Sequence, residues 1–151
     1  MDQRPSKAWM FMQMALAAKE RSTCQRNKVG CVITDEEGMS VVSLGYNGNA
    51  AVLTNHCDRP DKQGDCGCIH AEVNALIKAP FREGNLVLYS TTAPCADCAK
   101  LIINSAVHEV VFLEPYRLET GLQLLSMSTK RIVAMRLELA TDTLYPAWSL
   151  A

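Results

Sequence analysis

Seven cysteines in 151 residues constrain this chain more than any other feature. An odd number cannot all pair with one another. The start, Met1-Asp2-Gln3-Arg4-Pro5, has no apolar core behind a basic flank, so it does not read as a secretory signal. Without that signal a disulfide framework is not expected, and clustered cysteines point to metal binding or catalysis.

The remaining composition is that of an ordinary globular domain. Hydrophobic residues make up 48% and charged residues 21%, and 15 basic against 16 acidic side chains leave a net charge of −1. That balance speaks against a globally basic nucleic-acid binder. No apolar run approaches the roughly 18 residues of a membrane span. The expectation is one cytoplasmic domain over 1–151, with a core at about 7–135 and a C-terminal extension at 136–151. No membrane or nucleic-acid partner is expected.

Residues 7–21 carry Trp9, Met10, Met12, Met14, Leu16 and Ala17 behind a capping Ser6, which predicts an amphipathic helix. Val- and Ile-rich stretches at 29–34 and 40–45 flank Asp35-Glu36-Glu37-Gly38 and read as a hairpin. Residues 47–69 form a long loop, and a loop of that length is usually functional or stapled. Helices are expected at 70–79, 95–104 and 119–127, and strands at 86–90, 109–113 and 131–135. Helices alternating with buried strands after a hairpin predict an α/β fold, a three-layer α/β/α sandwich around one mixed five-stranded sheet. The tail from Arg136 reads ambiguously. Its Leu137, Leu139, Leu144, Tyr145 and Trp148 imply packing on the domain or on a neighbouring subunit.

Two helix starts carry the chemistry, His70-Ala71-Glu72 and Pro94-Cys95-Ala96-Asp97-Cys98. Cys95 and Cys98 are three apart and share one side of a first helical turn. Its free N–H groups favour thiolates. Two thiolates and the His70 imidazole give three zinc ligands and leave a fourth position for water, as in catalytic sites. Zinc brings the pKa of such a water toward neutrality. Glu72, two residues after His70, is placed to take the water's proton and pass it to a leaving amine. A Cys-x-x-Cys alone reads more readily as a structural zinc knuckle or a redox pair, and a non-catalytic zinc module stands as the alternative. Glu72 tells against it, because a knuckle has no use for a non-ligating carboxylate beside its histidine.

H-x-E followed by P-C-x-x-C is the signature of zinc-dependent deaminases. The likeness extends to RSTCQRNKVGCVI (21–33), GYNGN (45–49), NHCDRP (55–60), IHAEVNAL (69–76), TTAPCADCAKLI (91–102) and EPYR (114–117). With these stretches the chain resembles the deoxycytidylate (dCMP) deaminases over about residues 7–135. The resemblance implies a cytidine deaminase-like fold, a catalytic zinc, and hydrolysis of dCMP to dUMP and ammonia for thymidylate synthesis. It also implies a homo-oligomer, up to a hexamer, to which Met-rich and Leu-rich faces in a short chain point as well. A deaminase of another cytosine nucleoside or nucleotide (CMP, dCTP, a modified dCMP), or of a tRNA base, remains an alternative reading. The low net charge tells against the tRNA reading.

By the same resemblance Cys24, Cys57 and the loop before His70 supply a second, structural zinc. Cys66 and Cys68 in that loop complete four thiols, with His56 as a substitute ligand. Scattered reduced thiols are the alternative. Cys31 reads as a small core residue. Asn47 is implied to hold the deoxyribose hydroxyl or the pyrimidine, although an Asn there equally suits a tight turn. Arg26, Lys28, Tyr116 and Arg117 sit at strand ends, where such sheets bind ligands, and together suit a 5′-phosphate. Singly each reads as a surface residue, and Arg26 and Tyr116 match the family best. Family members often read GYNG-x-P-x-G where this chain has GYNGNAAVLTNHC. Control by dCTP and dTTP is therefore not carried over, and the exact pyrimidine stays open.

Overall fold

The computed structural model describes residues 4–80, 84–130 and 132–149. Met1, Asp2 and Gln3 of the terminal reading, Arg131 at the expected start of the last strand, and Leu150 and Ala151 of the tail lie outside the described residues.

The order along the chain is α1 (Lys7–Lys19), β1 (Gly30–Asp35), β2 (Val41–Tyr46), α2 (Ala71–Lys78), β3 (Leu86–Thr92), α3 (Ala96–Ile103), β4 (Val107–Glu114), α4 (Thr120–Met127), β5 (Val133–Glu138) and β6 (Thr143–Pro146). The strands form one mixed sheet in the order β2-β1-β3-β4-β5-β6. β1 runs antiparallel to β2 and β3, while β3, β4 and β5 are mutually parallel.

The pleat divides the core. Cys31 and Ile33 of β1, Leu86 and Leu88 of β3 and Val110 of β4 pack with Ala71 and Ala75 of α2, Ala99 and Ile102 of α3 and Leu125 of α4. Their neighbours Val32, Val87, Tyr89 and Val111 point the other way, onto Phe11, Met12 and Ala15 of α1. One helix therefore covers one face and three cover the other. Strands buried on both faces read as continuous apolar runs.

Among the described residues the sheet has six strands, not the expected five. The sixth comes from the tail: β5 continues to Glu138 and pairs antiparallel with β6 through Met135↔Pro146 and Leu137↔Leu144. As an outer strand it buries little, with Leu144 and Tyr145 exposed, so it lacks the apolar run that marks β3 and β4. α1 ends two residues earlier than expected, and β4 begins two residues before Glu109. The buried stripe of α1 is Ala8, Phe11, Met12, Ala15 and Ala18, whereas Met10 and Met14 face outward. Apolar residues surround this helix, so spacing alone does not select its buried face.

Ser6 caps α1 by accepting the Trp9 N–H at 3.0 Å. The Asp142 carboxylate in turn accepts the Ser6 N–H at 2.6 Å and hydroxyl at 2.5 Å. Among the described residues no helix is long and apolar enough to cross a membrane.

Candidate active site

The topology gathers several chain ends at one edge of the sheet. β3 ends at Thr92 and β4 at Glu114, two parallel neighbours. β1 begins and β2 ends at that same edge, as the Gly30↔Tyr46 and Cys31↔Ser90 pairings require. Ligands of open α/β sheets bind beyond the carboxyl ends of parallel strands. A cleft of about 280 Å³ lies there, lined by residues that include Arg26, Asn47, His70, Glu72, Cys95, Tyr116 and Arg117.

His70 and Cys95 each occupy the N-cap position of a helix, α2 and α3 respectively. Backbone at both caps is extended, and the Cys95 side chain caps α3 while also facing His70. The Cys95 and Cys98 sulfurs stand 3.4 and 3.3 Å from His70 Nδ1. The Cys98 N–H points at the Cys95 sulfur from 3.5 Å. Tetrahedral zinc with Zn–S of about 2.3 Å and Zn–N of about 2.0–2.1 Å places N and S about 3.6 Å apart. The donor types and spacings therefore fit a zinc ion. His70 reaches the cluster through Nδ1, a consequence of its cap backbone. Just before it, Ile69 and Gly48 exchange N–H···O bonds of 2.8 and 3.1 Å, which pin this segment to the end of β2.

Glu72 lies in the first turn of α2 and is buried, with Oε2 3.7 Å from the Cys98 sulfur. Burial pushes its carboxyl above the usual range; its own N–H and the nearby His70 oppose the shift. The hydrogen bond from Cys98 holds the Cys95 thiol down to about 4, against burial and with help from His70. Cys95 in turn raises His70. Burial and the Glu72 carboxylate together push up the Cys31 thiol on the strand beneath, in keeping with a core role.

α4 fixes the cysteine turn from outside. Gly121 lies so close to the Pro94–Cys95 peptide that an added Cβ would overlap the Pro94 carbonyl oxygen and sit 2.9 Å from that of Cys95. Gly121→Ala is expected to lower stability by about 1–3 kcal/mol, an overpacking penalty. Because the overlap falls on the cysteine turn, zinc retention should weaken with it. Thermal unfolding and elemental analysis of one preparation check both effects.

A second group of sulfurs lies along the wall of the cleft. Cys24 stands 3.7 Å from Cys57 and 3.8 Å from Cys66, and Cys57 stands 3.6 Å from Cys68. None is disulfide-bonded. Four thiolates around zinc at about 2.3 Å form a tetrahedron with edges of about 3.8 Å, so this cluster also fits the ion. His56 is exposed and stands outside the group of four.

The other expected residues divide. Arg26, Asn47, Tyr116 and Arg117 all line the cleft, whereas Lys28 is not among its lining residues. The Asn47 side chain is largely engaged by protein. Its Oδ1 accepts from the Ser22 hydroxyl at 2.6 Å and the Val29 N–H at 2.7 Å, and its Nδ2 donates to Asn27 O at 2.6 Å. One amide hydrogen is left for a ligand. Asn27, Gln63, Gly64, Thr92 and Ala93 also line the cleft. Sequence reasoning missed all five. For Asn27 the nearness to Arg26 was a usable signal; Gln63 and Gly64 sit in a loop without periodicity.

The family model "Cytidine and deoxycytidylate deaminase zinc-binding region" matches residues 5–114. Deoxycytidylate deaminase of Saccharomyces cerevisiae is 39% identical over 127 residues, covering 77% of this chain and 40% of the yeast protein. That of Mycobacterium phage D29 is 33% identical, covering 72% of this chain and 95% of the phage protein. This chain thus spans about two fifths of the two yeast relatives it matches. The dCMP deaminase of cyanophage S-TIM5, solved in complex with dCMP and dUMP, superposes with a TM-score of 0.77 at 27% identity. That match covers 89% of this chain and 99% of the phage chain.

Proposed function

The chain belongs to the cytidine and deoxycytidylate deaminase family, and from that premise we propose that it hydrolyses dCMP to dUMP and ammonia, supplying dUMP for thymidylate synthesis. One observation carries the reading. A buried, non-ligating carboxylate, Glu72, adjoins a three-donor His70–Cys95–Cys98 cluster at the base of a cleft whose mouth carries Arg26 and Arg117.

His70, Cys95 and Cys98 would hold the catalytic zinc, and Cys24, Cys57, Cys66 and Cys68 a structural one. Bound at the first site, zinc supplies the Lewis-acid charge that makes water nucleophilic at neutral pH. Glu72 then does the proton work. It takes a proton from the water that adds to C4 of the cytosine ring and passes it to N3, then takes the proton of the new C4 hydroxyl and delivers it to the exocyclic nitrogen, leaving C4=O. The C4–N bond breaks and ammonia leaves. Burial of Glu72 suits both halves, since a raised carboxyl pKa shortens the step between accepting and donating. The cleft floor at Thr92 and Ala93 bounds the base. The remaining Asn47 amide hydrogen would face the sugar. Arg26, Tyr116 and Arg117 would face the 5′-phosphate, for which the guanidinium fork is suited.

Residues 1–151 would act as a single deaminase domain in the cytoplasm, with the tail from 136 adding the outer strand. Exposed Met10, Met14, Leu53 and Ile77 support self-association into a homo-oligomer, up to a hexamer. Turnover of dCMP, CMP, deoxycytidine and dCTP, measured side by side, tests the substrate. dCMP is expected to give the highest kcat/KM; a preference for deoxycytidine would overturn the monophosphate assignment.

A further inference from the structure

Both arginines at the mouth of the cleft rest on one loop. Between Cys57 and Cys68 the chain forms neither helix nor strand. The Arg59 N–H donates to Cys66 O at 2.9 Å, and the Arg59 guanidinium pairs with the Asp65 carboxylate at 2.5 Å. Beyond such local bonds and the Asn49 amide, which donates to the Asp58 carboxylate at 3.0 Å, the loop is gathered by its sulfurs. Cys57 stands at one end and Cys66 and Cys68 at the other, and Cys24 joins them from the segment that carries Arg26. Arg26 Nη1 donates to Pro60 O at 2.5 Å. Arg117 approaches the loop at Gly64, whose φ of +78° and missing side chain leave room for the guanidinium; a Cβ there would overlap Arg117 Nη2. Gly64, Arg26 and Arg117 all line the cleft.

Taking the nucleotide-deaminase reading as given, we propose that the four-thiolate loop is the element that reads the substrate's 5′-phosphomonoester. Metal held by Cys24, Cys57, Cys66 and Cys68 fixes Pro60 and Gly64, and these fix the two guanidinium groups. Bidentate recognition of phosphate depends on the direction of the fork, so an arginine on a loosened loop keeps its charge and loses its aim. The base end of the cleft has anchors of its own, although Cys68 lies two residues before His70 and lines the same cleft. His70 and Cys95 begin helices on the sheet, and the Gly48–Ile69 pairing separates His70 from the last loop cysteine. Loss of the loop metal therefore weakens recognition of the nucleotide more than deamination of the ring.

Cys57→Ser tests this, because Cys57 alone of the four cluster cysteines does not line the cleft. Zinc per chain is counted by elemental analysis, dUMP binding is measured by calorimetry, and kcat/KM is measured on dCMP and on deoxycytidine. We expect zinc to fall from two to one. The dCMP-to-deoxycytidine ratio of kcat/KM should fall about tenfold, the scale of one charge-assisted contact, mainly through KM. The Kd for dUMP should rise by a similar factor. An unchanged ratio in a protein that has lost one zinc overturns the proposal, as does a single zinc in the wild-type protein. Gly64→Ala decides the matter if Cys57→Ser does not fold. It keeps all four thiols and displaces the far end of Arg117, so both zinc ions should stay while the ratio falls about tenfold; a ratio within about twofold of wild type overturns the proposal. A wild-type protein with no preference for dCMP over deoxycytidine would instead overturn the nucleotide reading on which the proposal rests.

Discussion

Glu72→Gln is expected to keep its zinc and its fold while losing about 10²–10⁴-fold in kcat, the usual contribution of a general acid–base group. The substitution is nearly isosteric. It removes a carboxylate whose charge burial disfavours, so the fold is expected to tolerate the change. Proton acceptance is lost, because the amide cannot take a proton from water. The loss should fall on kcat rather than KM, since the proton moves only on the way to the transition state. Steady-state kinetics beside elemental analysis check both points. Turnover within a few-fold of wild type, zinc retained, would remove Glu72 from the chemistry.

Cys98→Ser is expected to abolish turnover by a different route. Cys98 is almost wholly buried at the start of α3, where its sulfur stands 3.3 Å from His70 Nδ1 and 3.7 Å from the Glu72 carboxylate. Serine fits the space and keeps the helix, but a hydroxyl is a far poorer zinc ligand than a thiolate. Elemental analysis should show one zinc fewer per chain, with activity at background. The zinc proposed for the four-cysteine loop should stay. Loss of both ions from this variant would show that the two clusters do not fill independently. Full zinc content with full activity would show that Cys98 is no ligand.

The two helix starts were legible because their chemistry and their grammar coincide. His70 and Glu72 precede an apolar run that Pro80 stops, and Pro94 announces the turn that carries Cys95 and Cys98. Strands β1, β3 and β4 were legible as apolar runs buried on both faces. β6 was not, because a strand at the sheet's edge needs no such run. The outward-facing Met10 and Met14 were read into the same apolar pattern as the buried Met12, since α1 has no polar face to orient it. Asn47 was placed at the ligand, and it does line the cleft; its bonds to Ser22, Asn27 and Val29 could not be read, because they depend on how three separate segments meet. Gly64 and Gly121 carry no local signal. Each is required by a close approach of distant chain, Arg117 in one case and the Pro94–Cys95 peptide in the other.

The clasp between Ser6 and Asp142 gives the face opposite the cleft its own cooperative unit. α1 is the one helix covering that face, and its first turn is capped by a residue that a carboxylate beyond β5 holds in place. Fraying of the edge strands would release Ser6 and open the first turn of α1 together with β5 and β6, because the cap and the strand pairing share one residue's neighbourhood. On the other face the tail is held differently, with Ala147 packed against the core that α2, α3 and α4 share.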